Sequence, residues 1–200
     1  NRLVQGDVGS GKTVVALLAL ANVVLNGYQG ALMAPTEILA SQHYDSFKEI
    51  LESFNIKSEL LVGSLTKKQK EKVLQKVKNQ EIDILIGTPA LIEDKVEFKN
   101  LGMVITDEQH RFGVRQRGRL SNKGDSPDIL VMTATPIPRT LALILYGDLD
   151  ISIIDELPPG RQPIDTRAFE SKKRDFIYSN FVRDEIEKGR QVYIVCPLVE

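Results

Sequence analysis

The sequence predicts an α/β chain built on a doubly wound parallel β-sheet with helices on both faces. Three observations predict it. Apolar strand-length runs alternate with helix-length segments along most of the 200 residues. Several runs are near-continuous aliphatic, as in Ala31-Leu32-Met33 and Ile129-Leu130-Val131-Met132, the pattern of strands covered on both faces. A glycine-rich turn joins the first strand run to the first helix.

The first strand, Arg2–Gln5, leads into Gly6-Asp7-Val8-Gly9-Ser10-Gly11-Lys12-Thr13, a complete G-x-x-x-x-G-K-T phosphate-binding loop. Its glycines, with Gly6, Gly9 and Gly11 at the turns and Ser10 between them, bring backbone N–H groups to phosphate oxygens with no Cβ in the way. Lys12 reaches the β- and γ-phosphates as a mobile point charge, and the Thr13 hydroxyl can ligate Mg²⁺. An apolar helix over Val14–Leu25 follows, so the phosphates of ATP would sit at a helix N-terminus. The competing reading is a glycine-rich turn before a helix. With glycine at about 7% of average usage, the full pattern arises by chance in fewer than roughly one in a hundred chains of this length.

Further strands are expected at Gly30–Ala34, Lys57–Val62, Ile82–Ile86, Met103–Thr106 and Ile129–Thr133. The helices between them are Thr36–Ser53 and Lys67–Asn79, with shorter ones near Pro89 and Pro138. Residues 1–154 thus form a first domain. Residues 155–163 hold three prolines and a glycine and read as an extended linker. A strand (Asp165–Phe169), an amphipathic helix (Lys173–Lys188) and a strand (Gln191–Cys196) then read as the opening of a second, truncated α/β domain over 164–200. The chain starts with Asn almost at the loop and stops at Glu200 after a strand-like run, so we expect a piece of a longer polypeptide.

A formal net charge of −1 argues against a basic surface that grips nucleic acid from any direction, though not against a local groove. The one cysteine, Cys196, excludes an intrachain disulfide and a cysteine metal cluster, and reads as a small buried residue in a strand. No apolar run approaches the roughly 20 residues of a membrane span. No signal peptide is present, and a cytoplasmic setting without membrane partners is expected.

Two further motifs lie at strand ends, where ligands gather in open α/β sheets. Asp107-Glu108-Gln109-His110 follows the strand Met103–Thr106. Asp107 can hold Mg²⁺ and Glu108 can orient and deprotonate the attacking water. Thr133-Ala134-Thr135-Pro136 follows the strand Ile129–Thr133 and can link the nucleotide site to whatever moves on hydrolysis. Alone, the acidic pair would pass for turn polarity and the Thr-Ala-Thr-Pro run for a strand-exit turn.

The order of these three elements resembles the superfamily 2 nucleic-acid helicases and translocases, where they are motifs I, II and III. The spelling Asp107-Glu108-Gln109-His110-Arg111-Phe112-Gly113-Val114, then Gln116-Arg117, and the run from Met132 to Arg161 closely resemble the RecG family of bacterial ATP-dependent DNA helicases. That family remodels stalled forks and Holliday junctions in recombination and repair. The Mfd family of transcription-repair coupling translocases shares much of this region but usually has Glu where this chain has Gln109, and it stays as the alternative.

The resemblance implies RecA-like domains, ATP and Mg²⁺ as cofactors, and branched or duplex DNA as partner, with single-stranded-DNA-binding protein at forks as a further candidate. It implies that Gln109 and His110, with Thr133 and Thr135, couple nucleotide state to DNA; a core histidine is the rival reading of His110. Ala34-Pro35-Thr36-Glu37 with Gln42 looks like a DNA-backbone contact at a helix start, although Thr36 is also a good helix N-cap. Thr88, in Gly87-Thr88-Pro89-Ala90-Leu91, resembles the next such contact; RecG proteins often have His where Pro89 stands. Arg111, Arg115, Arg117 and Arg119 lie beside the acidic motif and can approach phosphate backbone, Arg115 and Arg117 foremost. Lys67, Lys68, Lys70, Lys72, Lys76 and Lys78 read as a solvated helix face. His43 reads as structural. Arginines of the second domain and an upstream wedge domain, which family members carry, lie outside the chain, so the segment alone is expected to bind nucleotide weakly and hydrolyse it poorly. A small-molecule kinase shares the loop but lacks the other two motifs, and a nucleotide-gated binding module without turnover is the remaining class.

Overall fold

The computed structural model describes residues 1–93, 95–107, 127–135, 149–156 and 164–196. Two compact units divide the chain, Asn1–Pro159 and Gly160–Glu200. The first is built on seven strands: β1 (Arg2–Gly6), β2 (Gln29–Met33), β3 (Ser58–Leu61), β4 (Ile84–Gly87), β5 (Leu101–Thr106), β6 (Asp128–Thr133) and β7 (Asp150–Ile154). They lie in the order β3-β4-β2-β5-β6-β1-β7, and every neighbouring pair is parallel. The expected doubly wound parallel sheet is what forms.

Both faces are covered, which is why the strands are aliphatic throughout rather than alternating with polar residues. Helices α1 (Lys12–Leu25) and α2 (Glu37–Ser53) place Leu17, Leu20, Phe47 and Leu51 against Val4, Leu32, Ile86, Ile105 and Met132. On the other face, α3 (Lys67–Lys78) places Val73 and Val77 against Ala31, Met33, Leu85 and Val104. The period-2 geometry of a strand sends Leu32 to one face and its neighbours Ala31 and Met33 to the other. Local signals set the helix ends. Thr36 caps α2 by accepting from the Leu39 N–H at 3.3 Å, and Thr66 with Gln69 forms a capping box at α3.

One buried polar residue ties three segments together. Gln29 is 1% exposed. Its amide nitrogen donates to the carbonyls of Val77 (2.9 Å) and Ile82 (2.8 Å), and its oxygen accepts from the N–H groups of Lys99 (2.9 Å) and Asn100 (3.1 Å). All four hydrogen-bonding positions of the amide are used, so a polar group can sit at the start of a core strand.

The structure departs from expectation in four places. Strand β7 was not expected; it adds to the sheet beside β1, pairing Arg2 with Asp150 through Gly6 with Ile154. The expected strands Asp165–Phe169 and Gln191–Cys196 are not strands, because no neighbouring strand pairs with them among the described residues and an unpaired strand leaves its N–H and C=O groups unmatched. The expected helix over Lys173–Lys188 is instead a succession: a 3-10 turn (Ser171–Lys173), an α turn (Arg174–Phe176), a π segment (Ile177–Val182) and an α turn (Arg183–Glu187). Cys196, in the unpaired segment, is exposed rather than buried. Near Pro89 the short helix is a 3-10 turn over Pro89–Ile92; the one expected near Pro138 lies outside the described residues.

Candidate nucleotide site

The loop between β1 and α1 has the backbone its sequence requires. Gly9 and Gly11 have φ of 82° and 92°, the left-handed region that favours glycine. Gly11 is also the N-cap of α1, so the unpaired first-turn N–H groups of the helix open onto the loop. Gly6 is required for space: a Cβ there would come within 2.6 Å of Ser10 Oγ and 3.0 Å of Ile154 Cβ.

Lys12 is 9% exposed, yet its ammonium is compensated. Nζ donates to the carbonyl oxygens of Gly6 and Asp7, both at 2.7 Å. An ammonium has three donors, so two hold it against the loop and one remains for an oxygen acceptor. Ser10 Oγ is buried without a hydrogen-bond partner, a polar atom of the kind a phosphate oxygen would satisfy. Thr13 is exposed at the first turn of α1. Anion-binding N–H groups, a poised ammonium and an unsatisfied hydroxyl fit a triphosphate.

Because all strands are parallel, β1, β2, β4, β5 and β6 release their site residues at one edge of the sheet. In register, Gln5 pairs with Thr133, and Thr106 with Val131 and with Met33. Strands β5 and β1 flank β6, which puts their axes about 10 Å apart at two strand spacings. Asp107 therefore leaves the sheet two strands from the loop, with Thr133 on the strand between.

Asp107 is held at two points. Its N–H donates to the Met33 carbonyl at 2.9 Å, and Oδ2 lies 2.8 Å from Nε2 of His43 on α2. The two side chains are 14% and 10% exposed. Sequence reasoning left His43 as a structural residue; its partner is 64 positions away, and no local pattern marks it. Among the described residues no three His, Cys, Asp or Glu side chains cluster as metal ligands. A Mg²⁺ site needs none, since this ion takes one or two carboxylates together with phosphate oxygens and water.

The remaining expected residues divide. Thr133 is buried, and its hydroxyl accepts from the Thr135 N–H at 3.1 Å, fixing the exit turn of β6. Gln42 is exposed on α2, while Thr36 and Thr88 are half-buried at the same sheet edge. The α3 lysines stay in the solvated role: Lys70 bonds the Gly63 carbonyl, and Lys76 and Lys78 pair with Glu59 and Glu97 at 2.7 and 2.6 Å. Glu108, Gln109, His110, Arg111, Arg115, Arg117 and Arg119 lie outside the described residues.

A family model of DEAD/DEAH box helicases matches residues 1–144, and the chain belongs to that family. It is 56% identical over 200 residues to the ATP-dependent DNA helicase RecG of Bacillus subtilis, and 58% identical over 202 residues to that of Aquifex aeolicus. The whole chain is covered in both alignments, against 29% and 25% of those relatives; the chain thus spans under a third of the curated relatives it matches. The solved structure of RecG bound to a three-way DNA junction matches 99% of the chain and 26% of its own length, with a TM-score of 0.80 and 51% identity. The DNA-bound helicase MrfA, 22% identical with a TM-score of 0.61 over 78% of this chain and 25% of its own, shares the fold. The resemblance, expected over essentially all 200 residues and most specific in 107–161, covers the whole chain. No helix among the described residues is long and apolar enough to cross a membrane.

Proposed function

We propose that the chain is the ATP-binding motor segment of a DNA helicase that remodels branched DNA, as the name and the junction complex of its RecG relatives suggest. The observation that carries it is the common sheet edge: the phosphate loop, Asp107 and Thr133 leave three adjacent strands of a sheet whose whole sequence is RecG-like.

In this reading Lys12 delivers its remaining N–H to a phosphate oxygen while the carbonyls of Gly6 and Asp7 accept the other two and hold its ammonium. Thr13 and Asp107 would hold Mg²⁺, which would supply positive charge to offset that of the phosphates. Glu108 takes the proton of the attacking water. Gln109, His110, Thr133 and Thr135 relay the state of the site to DNA held by Thr36, Gln42, Thr88, Arg115 and Arg117. Residues 164–200 are the opening part of a second motor domain, a reading supported by full-length likeness to RecG.

ATP turnover of the full-length protein, measured with linear, forked and four-way DNA and with RNA polymerase, tests the proposal. Branched DNA should stimulate most, and Glu108→Gln should lower turnover at least about 100-fold with ATP binding retained. Stimulation by RNA polymerase in place of branched DNA would move the chain to the transcription-coupled class. Undiminished activity of Glu108→Gln would remove the ATPase assignment.

A further inference from the structure

The His43–Asp107 pair joins the helix that starts after β2 to the acid at the end of β5. A carboxylate offers only acceptors, so His43 Nε2 carries the hydrogen and donates it to Asp107 Oδ2 across 2.8 Å. The imidazole is itself fixed: it sits one turn before Phe47, ring centroids 5.9 Å apart at 48°, and Phe47 is 2% exposed in the core. The acid is fixed too, at its main chain, by the Met33 carbonyl. Asp107 thus has its backbone clamped by β2 and one carboxylate oxygen clamped by α2, leaving Oδ1 to meet an incoming ion.

We propose that His43 is a positioning residue for the metal site, orienting the Asp107 carboxylate so that a single oxygen addresses Mg²⁺. The proposal rests on the reading of Asp107 as a metal-holding acid. It follows from the geometry that an acid supplying one ligand must have its rotamer fixed before the ion arrives, or part of the binding free energy goes into ordering it. Helix α2 supplies that constraint from a rigid core contact. The same helix exposes Gln42 next to His43, so any shift of α2 reaches the acid directly.

The test uses the full-length protein with bound ATP analogue and Mn²⁺ as a spectroscopic stand-in for Mg²⁺. Mn²⁺ affinity is read by electron paramagnetic resonance, metal-free nucleotide affinity by fluorescence, and folding by thermal melt. His43→Leu keeps the apolar contact with Phe47 and removes the donor; it should weaken Mn²⁺ binding about tenfold or more with metal-free nucleotide affinity unchanged. His43→Gln, whose amide nitrogen can reach the same place, should restore most of the affinity. His43→Asn, too short, should not. Unchanged Mn²⁺ affinity in a folded His43→Leu or His43→Asn protein overturns the proposal, as does a His43→Gln protein that folds yet binds Mn²⁺ no better than His43→Asn. Asp107→Asn separates the two layers. If it too leaves Mn²⁺ affinity intact, the metal reading of Asp107 is wrong. If it abolishes binding while His43→Leu does nothing, only the role of His43 fails.

Discussion

The segments Ile84-Leu85-Ile86 and Val192-Tyr193-Ile194-Val195 are equally strand-like in composition, and they meet opposite fates. In the first compact unit Ile84, Leu85 and Ile86 are 0% exposed, paired on both sides by β3 and β2. In the second, Tyr193, Ile194 and Val195 are 84%, 60% and 93% exposed and form no strand. No described residue of the second unit is buried. Its packing is a small aromatic group, Phe181 with Phe169 and Phe176 at 6.0 and 5.9 Å and the Arg167 guanidinium 5.6 Å from the Phe181 ring. The contrast teaches that an apolar run becomes a strand through the partners on either side. Its own composition only permits it.

The sharpest way to break the contrast is at Gln29. Gln29→Leu would remove the amide from the Ile82 carbonyl and from the Lys99 and Asn100 N–H groups, and one of the donors from the Val77 carbonyl, which keeps the Gln80 N–H, at a cost of about 4 kcal/mol. Urea unfolding should show the loss in the major transition; a change below about 1 kcal/mol would mean water replaces the amide and the core is looser than its packing implies. A smaller effect is expected from Phe181→Ala. It should move that transition by less than about 0.5 kcal/mol, while residues 171–187 lose helical signal. Native-state hydrogen exchange should agree, with β2, β4 and β5 amides protected and those of 191–196 near the unprotected rate. Strong protection there would show a packed second unit.

The smallest expected difference is in pH response. Asp165, bonded by Arg167, and Glu185, bonded by Arg190 and Lys188, are held below their ordinary values. A depressed acid contributes stability above its unfolded value and loses it as pH falls. The second unit should therefore loosen as pH drops below about 4. Lys76, raised by its hydrogen bond to Glu59, works in the other direction and releases the α3–β3 tie only as pH rises above about 10.5. Amide chemical shifts followed residue by residue would separate the two. Shifts in residues 171–187 that move only in alkali would reverse the assignment.

The first unit was legible because its signals are local. Aliphatic runs, Thr36 at a helix start, and the loop glycines each specify their own segment. What stayed hidden depends on distant pairing. Strand β7 has no fully buried position and, among the described residues, is paired by β1, about 150 residues earlier. His43 shows nothing in its neighbourhood to distinguish a core imidazole from one facing Asp107. The phosphate loop lies in one contiguous run, whereas the surroundings of Asp107 are assembled from α2, β2 and β5.

The placement of β1 between β6 and β7 has a consequence for how the protein is made. Of the seven strands, the one that carries the phosphate loop is synthesised before the rest, but its two neighbours in the sheet end at Thr133 and Ile154. At about 5–20 residues per second, roughly 7–30 seconds of synthesis separate the two sides of the loop. During that interval Leu3 and Val4, later wholly or almost wholly buried, have no sheet to join. Translation speed across residues 7–154 thus sets how long the nascent chain exposes an unpaired strand, and the nucleotide loop takes its shape among the last parts of the unit rather than the first.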